Sequence, residues 1–303
     1  MTSKYIELGI IKMCLIGLLS GCATTPNVDS SENAAAELND KSLDVLFATE
    51  FPVESEADAL ARAAQALREG ETDKALFFYV RALQLQPENV ELLAHIGEIQ
   101  MQRKNHVMAS RAFLTARSYD PNHARSLEGL GLIYMAAGLH EQAVDALKLA
   151  VENDDRLWHA HNALGVYEDK AGDYAAAQRH YDMALSINPD AVHVLNNRGY
   201  SKFLAGDVHG ATLDLYEAAK NQEFPLAWVN LGRIYAKQGW YDDAITSYKN
   251  VMSEAHALNN TGQAAIENGD FTQAKRYLNE AIRLSPTYFP AAEENLSLLV
   301  DAR

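Results

Sequence analysis

A 34-residue spacing of small residues is the feature that most constrains this chain. Glycines recur at this step, at Gly97, Gly131, Gly165 and Gly199. Alanines recur at the same step, at Ala75, Ala109, Ala143, Ala177 and Ala211. A unit of this length cannot bury its own apolar face, so the fixed period predicts helix pairs that stack against their neighbours. The period therefore favours a scaffold over an enzyme built around one central core.

The residues around these small positions resemble the tetratricopeptide repeat (TPR), in which each repeat is a pair of antiparallel helices. The resemblance covers residues 56–288 as seven repeats, and residues 289–303 are predicted to form a C-terminal capping helix. The fullest first-helix match is Trp228, Leu231, Gly232 and Tyr235. The resemblance implies an all-α TPR solenoid, a right-handed superhelix of about seven helix pairs plus the capping helix.

The period shortens towards the C-terminus. Gly199 and Gly232 are 33 residues apart, and Gly232 and Gly262 are only 30 apart. A deletion of four residues removes about one helical turn, because an α-helix has 3.6 residues per turn. We therefore expect the second helix of repeat 6, around residues 244–254, to be about one turn short.

Composition limits the classes of partner. The chain of 303 residues has a net charge of −15 and no basic cluster, which disfavours nucleic acid because its binding depends on phosphate neutralisation by Lys and Arg. The two cysteines, Cys14 and Cys22, both precede the repeats. A disulfide framework and a cysteine-based zinc site are therefore excluded from the repeat region.

The first 22 residues have the pattern of an export signal. Lys4 and Lys12 precede the apolar run 13–19, which is too short to span a bilayer that needs about 20 residues. The Leu-Ser-Gly-Cys sequence at residues 19–22 resembles a bacterial lipobox. The resemblance implies that residues 1–21 are a lipoprotein signal peptide.

The same resemblance implies that Cys22 becomes the first residue and carries three acyl chains. Multiple chains anchor a protein stably, because each buried CH₂ contributes about 0.8 kcal/mol. An Asp after the cysteine commonly retains such lipoproteins at the inner membrane, and here that residue is Ala23. The expected location is therefore the outer membrane of a Gram-negative bacterium, facing the periplasm.

Residues 22–55 lack the repeat pattern and are expected to form a lipidated tether. Residues 23–40 are rich in Thr, Ser, Asn, Ala and acidic residues, which favours a flexible chain. Further along, the tether contains an apolar segment, which consists of Leu43, Val45, Leu46, Phe47 and Phe51. Two interpretations stay open: a short helix that caps repeat 1, or a segment that folds on contact with a partner.

The first helices of TPR arrays line the concave face, and this resemblance indicates a candidate peptide-binding groove. Its predicted residues are Asn162, Asn196, Asn197, Tyr200, Asn230, Arg233, Asn259 and Asn260. An amide both donates and accepts, so a row of Asn side chains can bind the backbone of an extended segment, while Tyr200 and Arg233 add stacking and charge. The alternative is that Asn serves helix packing at these positions.

No catalytic constellation is present. The sequence lacks an H-E-x-x-H motif, a P-loop and a G-x-S-x-G motif, and His159 and His161 are two residues apart, which places them on different helix faces. We expect no enzyme activity, no cofactor, no metal site and no small-molecule substrate. Cations for capturing a free C-terminus are also missing, since His95 and Glu98 occupy the positions concerned.

The chain resembles the TadD family of TPR lipoproteins in Tad (Flp) pilus assembly. The resemblance lies in the lipobox, the seven repeats, and the stretches 195–200, 259–262 and 285–288. It implies a pilotin-like role, in which the chain binds a secretin or another assembly subunit and aids its localisation. One alternative is an adaptor for another envelope machine: a type IV pilus secretin, outer-membrane protein insertion or a murein hydrolase. The other is an enzyme with a TPR module, which needs a further domain.

Overall fold

The computed structural model describes residues 53, 55–221, 224–285 and 287–301, with the last two side chains excepted. The predicted signal peptide, Cys22 and the apolar segment at residues 43–51 lie outside the described residues. Within the described part the chain forms fifteen α-helices and no strand, which is the predicted all-α TPR solenoid. The chain divides into two compact units, with unit 1 ending at Lys170 and unit 2 beginning at Ala171.

Unit 1 contains the first seven helices. They are α1 Glu56–Arg68, α2 Thr72–Leu85, α3 Val90–Gln102, α4 His106–Tyr119, α5 Ala124–Ala136, α6 His140–Asn153 and α7 Trp158–Ala171, whose last residue opens unit 2. Successive helices pack through small buried side chains, such as Ala75 and Ala109, which have no exposed surface. Long apolar side chains such as Leu92 and Leu130 fill the space between neighbouring repeats.

Unit 2 contains the remaining eight helices. They are α8 Tyr174–Ile187, α9 Val192–Leu204, α10 Val208–Ala219, α11 Leu226–Lys237, α12 Tyr241–Lys249, α13 Glu254–Glu267, α14 Phe271–Leu284 and α15 Pro290–Asp301. The last helix packs through Ala292, Leu296 and Leu299 against the cluster that contains Leu258 and Leu278. It therefore covers the apolar face of repeat 7.

The second helix of repeat 6 is short, as the spacing predicts. Helix α12 has 9 residues, whereas the corresponding helix of repeat 7, α14, has 14. The loss exceeds one turn, and α12 ends at Lys249 rather than near residue 254. The residues that follow lead through Ser253, which accepts a hydrogen bond from the backbone of His256 and caps α13.

Glycines on the first helices of several repeats allow a large side chain of a second helix to approach, as predicted for the small residue at this position. Gly97 on α3 and Gly129 on α5 lie against the two edges of the Phe113 ring. A methyl group added at either glycine would lie 2.4 Å or less from a ring carbon of Phe113. Phe113 is 1% exposed, so the three residues form a tightly packed layer between consecutive first helices.

The turn inside each repeat uses a left-handed residue. Six of these turns contain glycine with positive φ, and in repeat 2 the residue is Lys104, with φ 60°. A side chain in this conformation costs about 1–2 kcal/mol relative to the usual regions. Repeat 2 therefore has a strained turn where the other described repeats have an unstrained one.

Lys104→Gly is expected to raise the free energy of unfolding by about 1 kcal/mol, because it removes this strain. The matched control is Gly138→Ala, at the same position one repeat later. An added Cβ there meets no atom within 4 Å, so only the backbone conformation matters, and stability is expected to fall by about the same amount. Urea unfolding monitored by circular dichroism gives both values. If both variants changed the free energy of unfolding in the same direction, the strain assigned to Lys104 would be contradicted.

Candidate protein-binding face

Seven of the eight predicted groove residues lie on three first helices of unit 2. Asn196, Asn197 and Tyr200 are on α9, and Asn230 and Arg233 are on α11. The remaining two, Asn259 and Asn260, are on α13. The eighth, Asn162, lies half-buried on α7 in unit 1 and is described with that unit alone.

The structure uses two of these amides to join neighbouring first helices. Asn230 Nδ2 on α11 donates to Asn196 Oδ1 on α9, at 2.8 Å. Asn196 Nδ2 in turn donates a longer hydrogen bond to Asn197 Oδ1, at 3.4 Å. Asn196 is 4% exposed and Asn230 is 3% exposed. Their hydrogen bonds satisfy buried polar groups between two repeats, which agrees with the packing alternative for these two residues.

A similar amide pair joins the last repeat to the C-terminal helix. Asn295 Nδ2 on α15 donates to Asn259 Oδ1 on α13, at 3.0 Å, and Asn259 is 7% exposed. The adjacent Asn260 is half-buried, and its Nδ2 lies 3.4 Å from the sulfur of Met252. Asn259 therefore also has a packing role, while Asn260 retains an accessible side.

The accessible part of the predicted groove is smaller than the sequence suggests. Within unit 2 it consists of Asn197, Tyr200, Arg233 and Asn260, all half-buried. Tyr200 and Arg233 each follow the glycine of their first helix by one residue, and the hydrogen bond between Asn196 and Asn230 holds these helices together. We call these four residues the α9–α13 face. Whether it binds a partner stays a prediction.

Arg233 is the charged residue of the α9–α13 face. Within the described part of the chain it makes no ion pair, although the protein carries a net charge of −15. Guanidinium groups bind carboxylates and carbonyl oxygens through several parallel donors. Arg233 is therefore the group on this face best suited to an acceptor from another chain.

The two cations of α9, Arg198 and Lys202, both bind acidic side chains within the protein. Arg198 binds Asp214 of α10 through two hydrogen bonds, from Nε at 2.7 Å and from Nη2 at 2.8 Å. Its Nη1 donates to Asp182 of α8 at 2.8 Å, and Lys202 Nζ lies 2.8 Å from Asp214. The hydrogen bonds that Arg198 donates to Asp214 raise the pKa of Arg198. This network was not predicted, because Asp182 and Asp214 each lie 16 residues from Arg198 and follow no motif.

Unit 1 contains a different charge network on its first helices. Arg125 of α5 binds Glu98 of α3 through Nε at 2.9 Å and Nη2 at 2.6 Å, and Nη1 donates to Glu91 at 3.0 Å. His123 Nε2 lies 3.1 Å from Glu91, and His95 Nδ1 lies 3.1 Å from Arg125. Burial alone raises the pKa of Glu98, but the hydrogen bonds from His95 and Arg125 outweigh it and hold this pKa below its usual range.

Glu128 connects one repeat to the next in unit 1. Its Oε1 on α5 accepts a hydrogen bond from the backbone N–H of Ala160, in the first turn of α7, at 2.9 Å. The side chain is 14% exposed. Burial raises the pKa of Glu128 to about 7, more than the hydrogen bond from Ala160 lowers it. The burial of Glu128 was not predicted from the sequence, although Glu128 precedes Gly131 by three residues, as Asn162 precedes Gly165.

The metal-ligating side chains of the described residues do not form a cluster. Among them, no three His, Cys, Asp or Glu side chains converge to hold a metal ion. No helix in the described ranges has both the length and the apolar character needed to cross a bilayer. His161 is buried and its Nε2 lies 3.1 Å from the carbonyl oxygen of Asp155, so it is engaged in the α6–α7 connection.

Comparison with known families identifies the repeats. Profiles described as tetratricopeptide repeat match residues 66–125, 108–156, 162–225, 227–261 and 255–288. The matches span most of the chain, and the chain belongs to the tetratricopeptide-repeat family. This fold generally serves as a non-enzymatic scaffold for contacts between proteins.

Two curated relatives share part of this region. The chain is 30% identical to Protein bimA of Emericella nidulans over 31% of this chain and 12% of that protein. It is 26% identical to a probable UDP-N-acetylglucosamine–peptide N-acetylglucosaminyltransferase, SPINDLY of Hordeum vulgare, over 57% of this chain and 19% of that protein. The chain thus spans less than a fifth of the length of either relative.

Solved structures show the same fold at low sequence identity. A tetratricopeptide repeat protein from Parabacteroides merdae has a TM-score of 0.52 and 16% identity, covering 82% of this chain and all of that one. Pseudomonas aeruginosa PilF has a TM-score of 0.52 and 18% identity, covering 71% and 97%. The Cut9–Hcn1 complex has a TM-score of 0.57 and 19% identity, covering 88% and 52%. At these identities the likeness concerns the fold alone.

Proposed function

We propose that the chain is a non-enzymatic scaffold, anchored by lipid at Cys22 to the outer membrane and facing the periplasm. In this proposal it holds a secretin or another subunit during assembly of a Tad (Flp)-type pilus or secretion system. The observation that carries the scaffold role is the α9–α13 face, where Asn197 and Tyr200 lie on α9 and Arg233, which makes no ion pair among the described residues, lies on the next first helix, α11. The anchor is supported by the Leu-Ser-Gly-Cys sequence at residues 19–22.

The assignment to pilus assembly is supported by the TadD-like stretches 195–200 and 259–262. Both contain members of the α9–α13 face as well as an amide that joins its helix to the next first helix, as Asn196 does, or to the C-terminal helix, as Asn259 does. The two stretches therefore contain residues that define the shape of the face and neighbouring residues that supply its accessible groups. No cofactor, metal or small-molecule substrate has a part in the proposed function.

Cys22→Ser tests the anchoring role. The variant is expected to retain its helical circular dichroism spectrum, because the position precedes the repeats, but to leave its client subunit away from the outer membrane. The matched control is Ala23→Asp, which keeps the lipidated cysteine and, by the retention rule for such lipoproteins, moves the chain to the inner membrane. Membrane fractionation followed by detection of the assembled secretin gives the result.

Normal secretin assembly in the Cys22→Ser strain would contradict the pilotin role. If Tad secretin assembly is normal but another envelope function fails, the chain serves one of the alternative machines: a type IV pilus secretin, outer-membrane protein insertion or a murein hydrolase. Both outcomes are read from the same fractions.

Arg233→Ala tests the α9–α13 face. We expect at least a tenfold loss of client binding, since truncation of a central interface arginine costs about 2 kcal/mol or more. Arg179→Ala is the matched control, because it makes the same change of charge at an exposed position on α8. Quantitative co-purification with the client measures both. Equal losses of client binding in the two variants, or no loss from Arg233→Ala, would show that the α9–α13 face does not bind the client.

A further inference from the structure

Helix α2 is buried on more sides than a second helix of a TPR repeat needs to be. Five successive residues, Ala75 to Tyr79, are each 6% exposed or less. Neighbouring residues of an α-helix point about 100° apart, so five in a row cover the whole circumference. By contrast, the second helix of repeat 3, α6, has Asp145 exposed between buried neighbours.

Phe77 identifies the side of α2 that has this additional cover. Steps of 34 residues lead from Phe77 to the corresponding positions in the next four repeats, which are Arg111, Asp145, Arg179 and Leu213. Asp145 and Arg179 are exposed, and Leu213 is 59% exposed. Phe77 is only 5% exposed. A position that faces solvent in later repeats is thus occupied in repeat 1 by a buried aromatic residue.

The chain that enters α1 packs against the core cluster of repeat 1. Val53, three residues before α1 begins at Glu56, packs against the cluster that contains Phe77 and Phe78. Phe51 is two residues from Val53, a distance of at most about 7 Å along the chain. The apolar residues before it, Leu43, Leu46 and Phe47, recur at spacings of three and four, which fit one face of a helix.

We propose that the apolar segment at residues 43–51 docks on α2 against Phe77 and Phe78 and completes the fold of repeat 1. The segment is then an internal part of the solenoid and leaves partner contacts to the helices. If the anchor at Cys22 proposed above is correct, the free tether is reduced to residues 23–42. A coil of about 20 residues spans roughly 25 Å, compared with about 30 Å for the whole tether.

Phe77→Arg tests the docking in the full chain, kept in detergent. Arg occupies the same position in repeat 2, so the substitution suits a helix but cannot bury its charge under an apolar segment. Chymotrypsin cleavage between residues 43 and 51, followed by mass spectrometry, is expected to accelerate at least tenfold. Leu213→Arg is the matched control, because it changes the corresponding exposed residue of α10, and cleavage is expected to keep the wild-type rate.

A second variant keeps the test valid if Phe77→Arg fails to fold. Leu46→Ser combined with Phe47→Ser leaves the described helices unchanged in sequence. Hydrogen–deuterium exchange is expected to accelerate at least tenfold in α2 and to stay unchanged in α10. Unchanged exchange in α2, or equal cleavage of the two Arg variants, would overturn the proposal. So would a dimer that Phe77→Arg dissociates without altering cleavage, because a second copy would then cover α2.

Discussion

Replacing Asp214 by Ala is expected to lower the free energy of unfolding by about 3 kcal/mol. Asp214 is 7% exposed, and its carboxylate accepts hydrogen bonds from Arg198 and Lys202, whose side chains are 20% and 14% exposed. Removing one partner of a buried ion pair leaves uncompensated charge, which typically costs about 3–5 kcal/mol. The lower end applies here because Arg198 keeps Asp182 as a second partner.

Asp182→Ala is the control for this prediction. Asp182 binds the same arginine, with an N–O distance of 2.8 Å, but its side chain is 53% exposed. Exposed ion pairs contribute less than about 1 kcal/mol, since water and salt screen the charges. Urea unfolding followed by circular dichroism gives both losses. A loss from Asp214→Ala no greater than that from Asp182→Ala would show that burial of the network contributes little.

Glu128→Gln is expected to stabilise the protein by about 3 kcal/mol at pH 8 and by about 1 kcal/mol or less at pH 5. Burial raises the pKa of Glu128 to about 7 in the folded protein, compared with 4.5 as the ordinary value. The folded state therefore holds a proton that the unfolded state releases between these pH values. Stability contributed by this group is complete below pH 4.5 and is lost as the pH rises to 7, at about 1.4 kcal/mol per pH unit.

The glutamine variant removes this loss because its amide stays neutral at every pH while its oxygen can still accept the Ala160 N–H. Glu91→Gln is the control. Burial would raise the pKa of Glu91, but hydrogen bonding to His123 and Arg125 outweighs it and holds the pKa below its usual range, so this variant is expected to destabilise slightly at neutral pH. Urea unfolding at several pH values separates the two. A stability difference for Glu128→Gln that does not change with pH would contradict the prediction.

The sequence predicts the helix pairs because their packing depends on single small residues that recur at a constant spacing. Gly131 must lack a side chain, since a Cβ there would lie 2.5 Å from Leu147. The short step between Gly232 and Gly262 likewise predicts the shortened α12. Such features depend on contacts within one repeat or between adjacent repeats, so the period alone reveals them.

The details of the candidate face could be predicted only in part. Asn196 and Asn197 are adjacent in sequence, but only Asn196 is buried between α9 and α11, because a change of 100° around the helix separates the two side chains. Which carboxylate loses water depends on the packing of the next repeat, as Glu128 shows against Ala160. Those contacts vary from repeat to repeat and have no signature in the spacing.

The central claim is that the α9–α13 face holds a protein partner, and photo-crosslinking in living cells tests it most directly. A photoreactive amino acid at Tyr200 or Arg233 is compared with one at Leu213, an exposed position on the second helix α10. The proposal predicts crosslinks to one client subunit from positions 200 and 233 and none from position 213. Crosslinks to that subunit from position 213, with none from positions 200 and 233, would contradict it.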